Sequence, residues 1–306
     1  MDSKRIRQGI STVLGFAAAG GALALLGPAA QASPRETTPG DVTLEAVVRD
    51  FDERRESGGH PDFESRPSGG FGVTVGLVEL ELGADGRPVF SGGGRRVLEA
   101  WRTSENEAIH PDFYDPTRGD DPGEWGSADD GGVSSAQSFA TWYEDVPGIT
   151  ERTQIALTLQ HDAGRGRWVF DNRTDEAYRG LGGFFPINGA LLGNTAGADR
   201  NHHFTAEAHA ELTFERGAGQ RIEVRSADDA WVFIDGRLAI DLGGVHSPAK
   251  QSAELDRLHW LEDGQTYRVD FFFADRHRAQ ASLRIETNTE LRGRAIAPAL
   301  AEAPGE

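Results

Sequence analysis

Between about residue 41 and residue 290 the chain repeatedly alternates apolar with polar residues. This period of two places successive side chains on opposite faces of a pleated strand. Ile155, Leu157 and Leu159 alternate with Ala156 and Thr158; Ala210, Leu212 and Phe214 alternate with Glu211 and Thr213; Tyr267, Val269, Phe271 and Phe273 alternate with Arg268, Asp270 and Phe272. Each run predicts a half-buried antiparallel strand. Trp231 to Ile234 is apolar on both faces and is followed by Asp235-Gly236 and then by Leu238 to Ile240. Both central residues of a type I′ turn need positive φ, so Asp-Gly between apolar runs predicts a hairpin, here a buried central one. Helical periodicity is weak, with Ser252 to Leu261 as the one stretch suited to a short helical turn. The expected fold is all-β, an antiparallel β-sandwich of two sheets packed face to face with long loop insertions.

Residues 91–138 break the pattern, being rich in Gly, Asp and Pro, and are expected to form a long loop insertion. His-Pro-Asp-Phe occurs at His60–Phe63 and again at His110–Phe113, in different surroundings that do not amount to a repeat. At the front, Lys4, Arg5 and Arg7 precede an apolar run from Val13 to Leu26 and then Ala30-Gln31-Ala32. This is the layout of a secretory signal over 1–32 with cleavage before Ser33. The alternative, a retained anchor, has to contend with a run shorter than the roughly 20 apolar residues of a bilayer span. A polar linker over 33–40 and an Ala/Pro/Glu-rich tail over 291–306 are expected to be disordered.

Charge narrows the partners. The formal net charge is −18, and losing Lys4, Arg5, Arg7 and Asp2 with the signal removes a net +2, leaving −20. Nucleic-acid binding runs on counterion release by clustered Lys and Arg, so such a surface argues against it. Divalent cations or neutral, hydroxyl-rich glycans suit it better, although solubility alone also explains acidity. With no cysteine there are no disulfides, thiolate metal sites or cysteine nucleophiles. An exported chain without disulfides suggests a bacterial setting.

The segment Asp228-Asp229-Ala230-Trp231-Val232-Phe233-Ile234-Asp235-Gly236-Arg237-Leu238-Ala239-Ile240-Asp241-Leu242-Gly243-Gly244-Val245-His246 resembles the signature of the fibro-slime relatives of the PA14 domain. Arg49-Asp50-Phe51, His60 to Phe63, Phe139 to Pro147, Phe184-Phe185-Pro186, His203-Phe204-Thr205 and Phe272 to His277 follow the order of that family. The resemblance implies a PA14-like sandwich outside the cell, tied to adhesion, matrix or carbohydrate binding.

It also implies a site. In carbohydrate-binding PA14 lectins two adjacent aspartates ahead of an apolar strand hold Ca²⁺, a cation that takes six to eight oxygens. Here Asp228 and Asp229 are the metal candidates, with Ser282 standing where those lectins use Asn from another loop. Counting from Ile234-Asp235-Gly236, one expected carboxylate position is occupied by Ala227. Asp228, Asp229, Asp241, His246 and Asp275 are the ligand-binding candidates. The competing role for the two aspartates is in a turn, accepting hydrogen bonds from nearby amides; for Asp241 and His246 it is holding the Gly243-Gly244 turn, and for Arg276 it is pairing with a carboxylate at the core edge. His202, His203 and His209 do not form a ligand set among themselves, because neighbours on a strand point to opposite faces.

No His-Glu-x-x-His helix, Gly-x-Ser-x-Gly elbow or phosphate-binding Gly-rich loop occurs. The expected function is a secreted, non-enzymatic carbohydrate-binding or adhesion module whose partner is an extracellular glycan or matrix protein. The alternatives are a structural or protein-interaction module without a sugar site and, less favoured, a glycoside hydrolase. Trp101, Trp125 and Trp142 are candidate stacking platforms, if they are not core.

Overall fold

The computed structural model describes residues 40–278 and 280–294, so the expected signal peptide, its cleavage site, most of the linker and the tail beyond Arg294 lie outside the described residues. The strands are β1 Val42–Phe51, β2 Thr74–Val75, β3 Gly94–Glu99, β4 Glu124–Asp129, β5 Thr150–Asp162, β6 Arg167–Asp171 and β7 Phe204–Thr213. They continue as β8 Arg221–Ala227, β9 Ala230–Ile234, β10 Arg237–Leu242, β11 Ala249–Glu254, β12 Thr266–Asp275, β13 Ser282–Thr287 and β14 Arg292–Gly293. The main sheet runs β10-β9-β12-β7-β1-β5-β6-β13-β8-β11, with β14 added on β7.

The long strand β5 makes this one ribbon into a sandwich. Its residues 150–159 pair with β1, and its residues 160–162 pair with β6, so it leaves one layer and opens the next. Ala46, Leu157, Ala206, Val232 and Phe271 from the first layer then bury against Val224, Leu283 and Ile285 from the second. On the open side, the Gln251 side chain closes the seam: its Oε1 accepts from Asp241 N at 2.7 Å and its Nε2 donates to Asp241 O at 3.1 Å.

Strand β12 shows why some strands are apolar on both faces. Val269, Phe271 and Phe273 enter the core between the layers, whereas Phe272 and Ala274 enter a second cluster with Leu77, Phe139, Trp142, Trp231 and Phe233. The β9–β10 hairpin forms as expected, with Asp235 at φ 55° and Gly236 at φ 75°, the positive values that a type I′ turn requires. It lies at one end of the strand order rather than in the middle. It is buried because the chain around 72–82 covers its edge, through Thr74 N to Gly243 O (2.7 Å), Leu238 N to Leu80 O (2.9 Å) and Leu82 N to Gly236 O (2.9 Å).

Two expectations change. Residues 91–138 are not purely loop: β3 and β4 join β2 in a three-stranded sheet, and register shifts at Arg95/Val97 and Val97/Glu99 erase the alternation that would have announced it. The ordered body also runs past 290, since Leu291 is buried and Arg292–Gly293 pairs with β7. Ser252 to Leu261 holds a single 3-10 turn, Leu255–Arg257. The two His-Pro-Asp-Phe segments adopt the same cap, each histidine Nδ1 accepting from the aspartate N–H at 3.2 Å.

Candidate functional site

The five ligand-binding candidates do converge, at the end of the sandwich where β8, β10 and β12 stop. Asp228 holds a left-handed backbone, φ 59°, that turns the chain between β8 and β9. Its carboxylate accepts from His246 N (3.2 Å) and Arg276 N (3.0 Å). Asp229 accepts from Gly244 N (2.6 Å) and from the Arg276 guanidinium Nε (2.6 Å). Asp241 accepts from Gly76 N (2.7 Å), Gly243 N (3.0 Å) and Trp231 Nε1 (3.0 Å). The His246 ring lies between two backbone carbonyls, Leu242 O at 3.0 Å and Ser247 O at 2.9 Å. Three loops are thereby tied together by side chains.

All five are interior groups: Asp229, Asp241 and Asp275 are 0% exposed, Asp228 3% and His246 6%. Burial, and then the neighbouring Asp275 and Asp229, push the Asp228 carboxyl well above the usual range. Burial lifts Asp241 to about 7 against the pull of its three N–H donors. Asp275 is pushed up by burial and then by Glu64, and neither of its oxygens has a hydrogen-bond partner.

Arg276, also 0% exposed, is the internal countercharge. Besides Asp229 it donates to Gly131 O at 2.8 Å, and its guanidinium carbon lies 4.7 Å from the Trp142 ring centroid. This is the carboxylate pairing expected for it.

The same geometry tests the calcium candidates. Ca²⁺ needs six to eight oxygens at about 2.3–2.6 Å. Here Asp228 and Asp229 present their four oxygens to three backbone amides and a guanidinium. Ser282, first residue of β13, is paired in register with Ala227, the position that lacks a carboxylate. As arranged, these residues do not fit a cation; the site holds a protein-borne positive charge instead. Accepting from nearby amides is what the pair would do in a turn.

Of the tryptophans, Trp142 is 0% and Trp101 8% exposed, so both are core, and Trp125 packs on Trp101 at 4.4 Å under the Arg95 guanidinium. Half-buried aromatic surface lies elsewhere, at the opposite end of β9 and β10. A cleft of about 630 Å³ is lined by Phe113, Tyr114 and Trp260 together with Asp112, Arg237 and Asp256. Its walls are fixed: Trp260 Nε1 donates to Ile234 O (3.2 Å), and Arg237 lies 5.5 Å from the Trp260 ring centroid. Arg257 binds Asp120 through two bonds of 2.6 and 2.9 Å and donates to Phe113 O at 3.0 Å, locking the 91–138 region onto the Leu255–Arg257 turn. Sequence periodicity carries no sign of this cleft, because its aromatic residues come from two irregular segments far apart in the chain.

A second group that the sequence left scattered is Glu53, Glu64 and His203, whose ligand-type atoms lie within 4.8 Å of one another. Sequence spacing sets His203 only beside His202 and His209, whereas the fold pairs it with carboxylates from another part of the chain.

Known proteins resemble this one in both sequence and parts. Residues 193–296 match the family described as the PA14 domain. Protein psiD of Dictyostelium discoideum is 30% identical over 224 residues, 71% of this chain and 36% of that protein. Protein psiR of the same organism is 30% identical over 252 residues, 81% of this chain and 21% of that protein. The chain therefore spans about a third or less of the length of these relatives, and they give no support to a bacterial origin. Among solved structures, a PA14 sugar-binding domain from an RTX adhesin is 14% identical, covering 31% of this chain and 50% of that one with a TM-score of 0.21. The GH31 alpha-xylosidase from Xanthomonas citri is 10% identical, covering 83% of this chain and 22% of that one with a TM-score of 0.28. This chain carries a PA14 domain within an all-β body, and over most of its length it is related to the psi proteins of a slime mould.

Proposed function

We propose that the protein is a secreted, non-enzymatic carbohydrate-binding module of the cell exterior, and that the cleft between Tyr114 and Trp260 is its glycan-binding surface. The observation that carries this is the cleft's composition: flat aromatic rings beside carboxylates and a guanidinium, on walls already held by internal hydrogen bonds. Sugar rings pair an apolar C–H face with hydroxyls, so they use an aromatic plane and charged hydrogen-bonding groups together. Preformed walls spare the ordering cost of binding. The acidic net charge favours a neutral glycan over an anionic one. Because Arg276 already neutralises Asp229, binding in this reading does not depend on calcium.

A second reading, a protein-interaction module without a sugar site, draws on Leu80, 55% exposed at the rim of the same cleft. Retention on insoluble polysaccharides and glycan arrays separates the two. The wild-type chain is expected to be retained by at least one neutral glycan and Trp260→Ala to be released, with no reducing sugar formed. Uniform silence of the folded protein refutes the glycan reading, and release of reducing sugar refutes the non-enzymatic one.

A further inference from the structure

Glu53 follows β1 and is bridged to His60, Glu64 closes the first His-Pro-Asp-Phe turn, and His203 directly precedes β7. The fold brings these three together at one end of the sandwich. His203 Nδ1 lies 3.3 Å from Thr195 Oγ1, which orients the ring so that Nε2 faces Glu64 Oε1 at 3.2 Å and Glu53 Oε2 at 4.0 Å. A partner on one imidazole nitrogen that aims the other at carboxylates is the usual outer arrangement of a metal-ligating histidine. Glu53 and His203 are 4% and 2% exposed, so the group is sheltered. It is still reachable, since both residues line a cleft of about 300 Å³ together with Thr195 and Asn201.

The charges there are not balanced by the protein. Two carboxylates face one nearby guanidinium, that of Arg278, which pairs with Glu53 through Nη2 while its Nε stands 3.4 Å from Glu64 Oε1 with no hydrogen bond. Arg278 is 34% exposed along its side chain, so it reaches this group from the solvent side. His277 Nδ1 lies 3.5 Å from Glu64 Oε2, and its Nε2 has no partner. Next to Glu64, the buried Asp275 Oδ2 and His202 Nδ1 face each other at 3.7 Å, beyond hydrogen-bond distance. Buried polar atoms rarely stay unpaired without a functional reason.

We propose that Glu53, Glu64 and His203 form a binding site for one divalent transition-metal ion, with Zn²⁺ the best-suited, and with Arg278 as a displaceable plug. One imidazole and two carboxylates make a three-ligand set that leaves a fourth, open position toward the cleft. A divalent cation neutralises both carboxylates, which a single guanidinium does not. Imidazole favours zinc-like ions over Ca²⁺ or Mg²⁺. The site shares no ligand with the Asp228–Asp229 loop that it adjoins and no lining residue with the glycan cleft.

The test is calorimetric titration of the metal-free full chain with Zn²⁺ alone, together with Co²⁺ absorption as a report of geometry. The expected result is one ion per chain, bound at least about tenfold more weakly by Glu53→Gln and at least about tenfold more tightly by Arg278→Ala, each tenfold being about 1.4 kcal/mol. His203→Ala is expected to abolish binding. Arg278→Ala keeps the test decisive if that variant fails to fold, since only this site gains by losing Arg278. Absence of binding by both wild type and Arg278→Ala overturns the proposal. So does binding unchanged in Glu53→Gln and Arg278→Ala, which would place the ion on other histidines among the nine in the chain.

Discussion

Replacing Arg276 by Met removes the internal countercharge while keeping most of the side chain's volume. The variant loses the 2.6 Å charged hydrogen bond to Asp229, the 2.8 Å bond to Gly131 O and the contact 4.7 Å from the Trp142 ring centroid. The larger effect is what remains. Asp229, 0% exposed, keeps a carboxylate with only the Gly244 amide bonded to it, beside the equally buried Asp228. Breaking a buried pair from one side costs about 3–5 kcal/mol, because the surviving charge has lost its solvation and its partner. At about 2–4 °C per kcal/mol for a domain of this size, the melting temperature should fall by about 6–20 °C. Thermal and urea denaturation of wild type, Arg276→Met, Asp229→Asn and the double variant form a cycle that isolates the pair. The double variant should be less destabilised than the sum of the singles. A loss below about 1 kcal/mol for Arg276→Met, or strict additivity, would show that Arg276 is not what holds this end of the sandwich together.

Two further outcomes follow from the same groups. Asp50, which accepts from Asn201 Nδ2 (2.8 Å) and Leu192 N (3.0 Å), is lifted by burial from 3.8 to about 7, so the folded state holds its proton over a range where the unfolded chain has released it. Its contribution is fully present below about pH 4 and is lost as pH rises through about 7. His60 and His110, lowered by burial, slope the other way, so the measurement that isolates Asp50 is the stability gap between wild type and Asp50→Asn. That gap should widen as pH falls from 7 toward 4, and a gap that is flat or narrows toward acid contradicts the assignment. Added to the metal-free chain, millimolar Ca²⁺ should leave the melting temperature unchanged; a rise with Ca²⁺ that Asp228→Asn abolishes would show that the ion displaces Arg276 after all.

Much of the fold was legible because it rests on local rules. Alternation marks β12 and β5, and Asp235-Gly236 marks its hairpin by the conformation those two residues accept. The 91–138 region was harder, because bulged strands such as β3 do not alternate. Position in the sheet was hidden as well: Trp231 to Ile234 reads as central, yet β9 is next to last in the strand order, and the edge of β10 beside it is covered by residues 72–82. The Asp228–Asp229 pair shows the limit for sites. Adjacent carboxylates before an apolar strand look the same whether they face a cation or a guanidinium, and Arg276 is 47 residues away from Asp229. The convergence of Asp228, Asp229, Asp241, His246 and Asp275 was readable from the motif. Their complete burial was not, since it depends on loops from Thr74, Gly131 and Trp142. The Tyr114–Trp260 cleft and the Glu53–Glu64–His203 group had no sequence signal at all, being assembled from segments that only the tertiary fold brings together.

In the proposed reading, recognition takes place at the open aromatic cleft and not at the buried aspartates. Its most direct test is retention of wild type, Trp260→Ala and Tyr114→Ala on the glycan that the wild-type chain retains, measured in chelator. Wild type is expected to be retained without calcium and both variants to lose about fivefold or more in affinity, since an aromatic platform is worth about 1 kcal/mol beyond its area. Variants that are folded and bind like wild type, or wild-type binding that disappears in chelator, would contradict it.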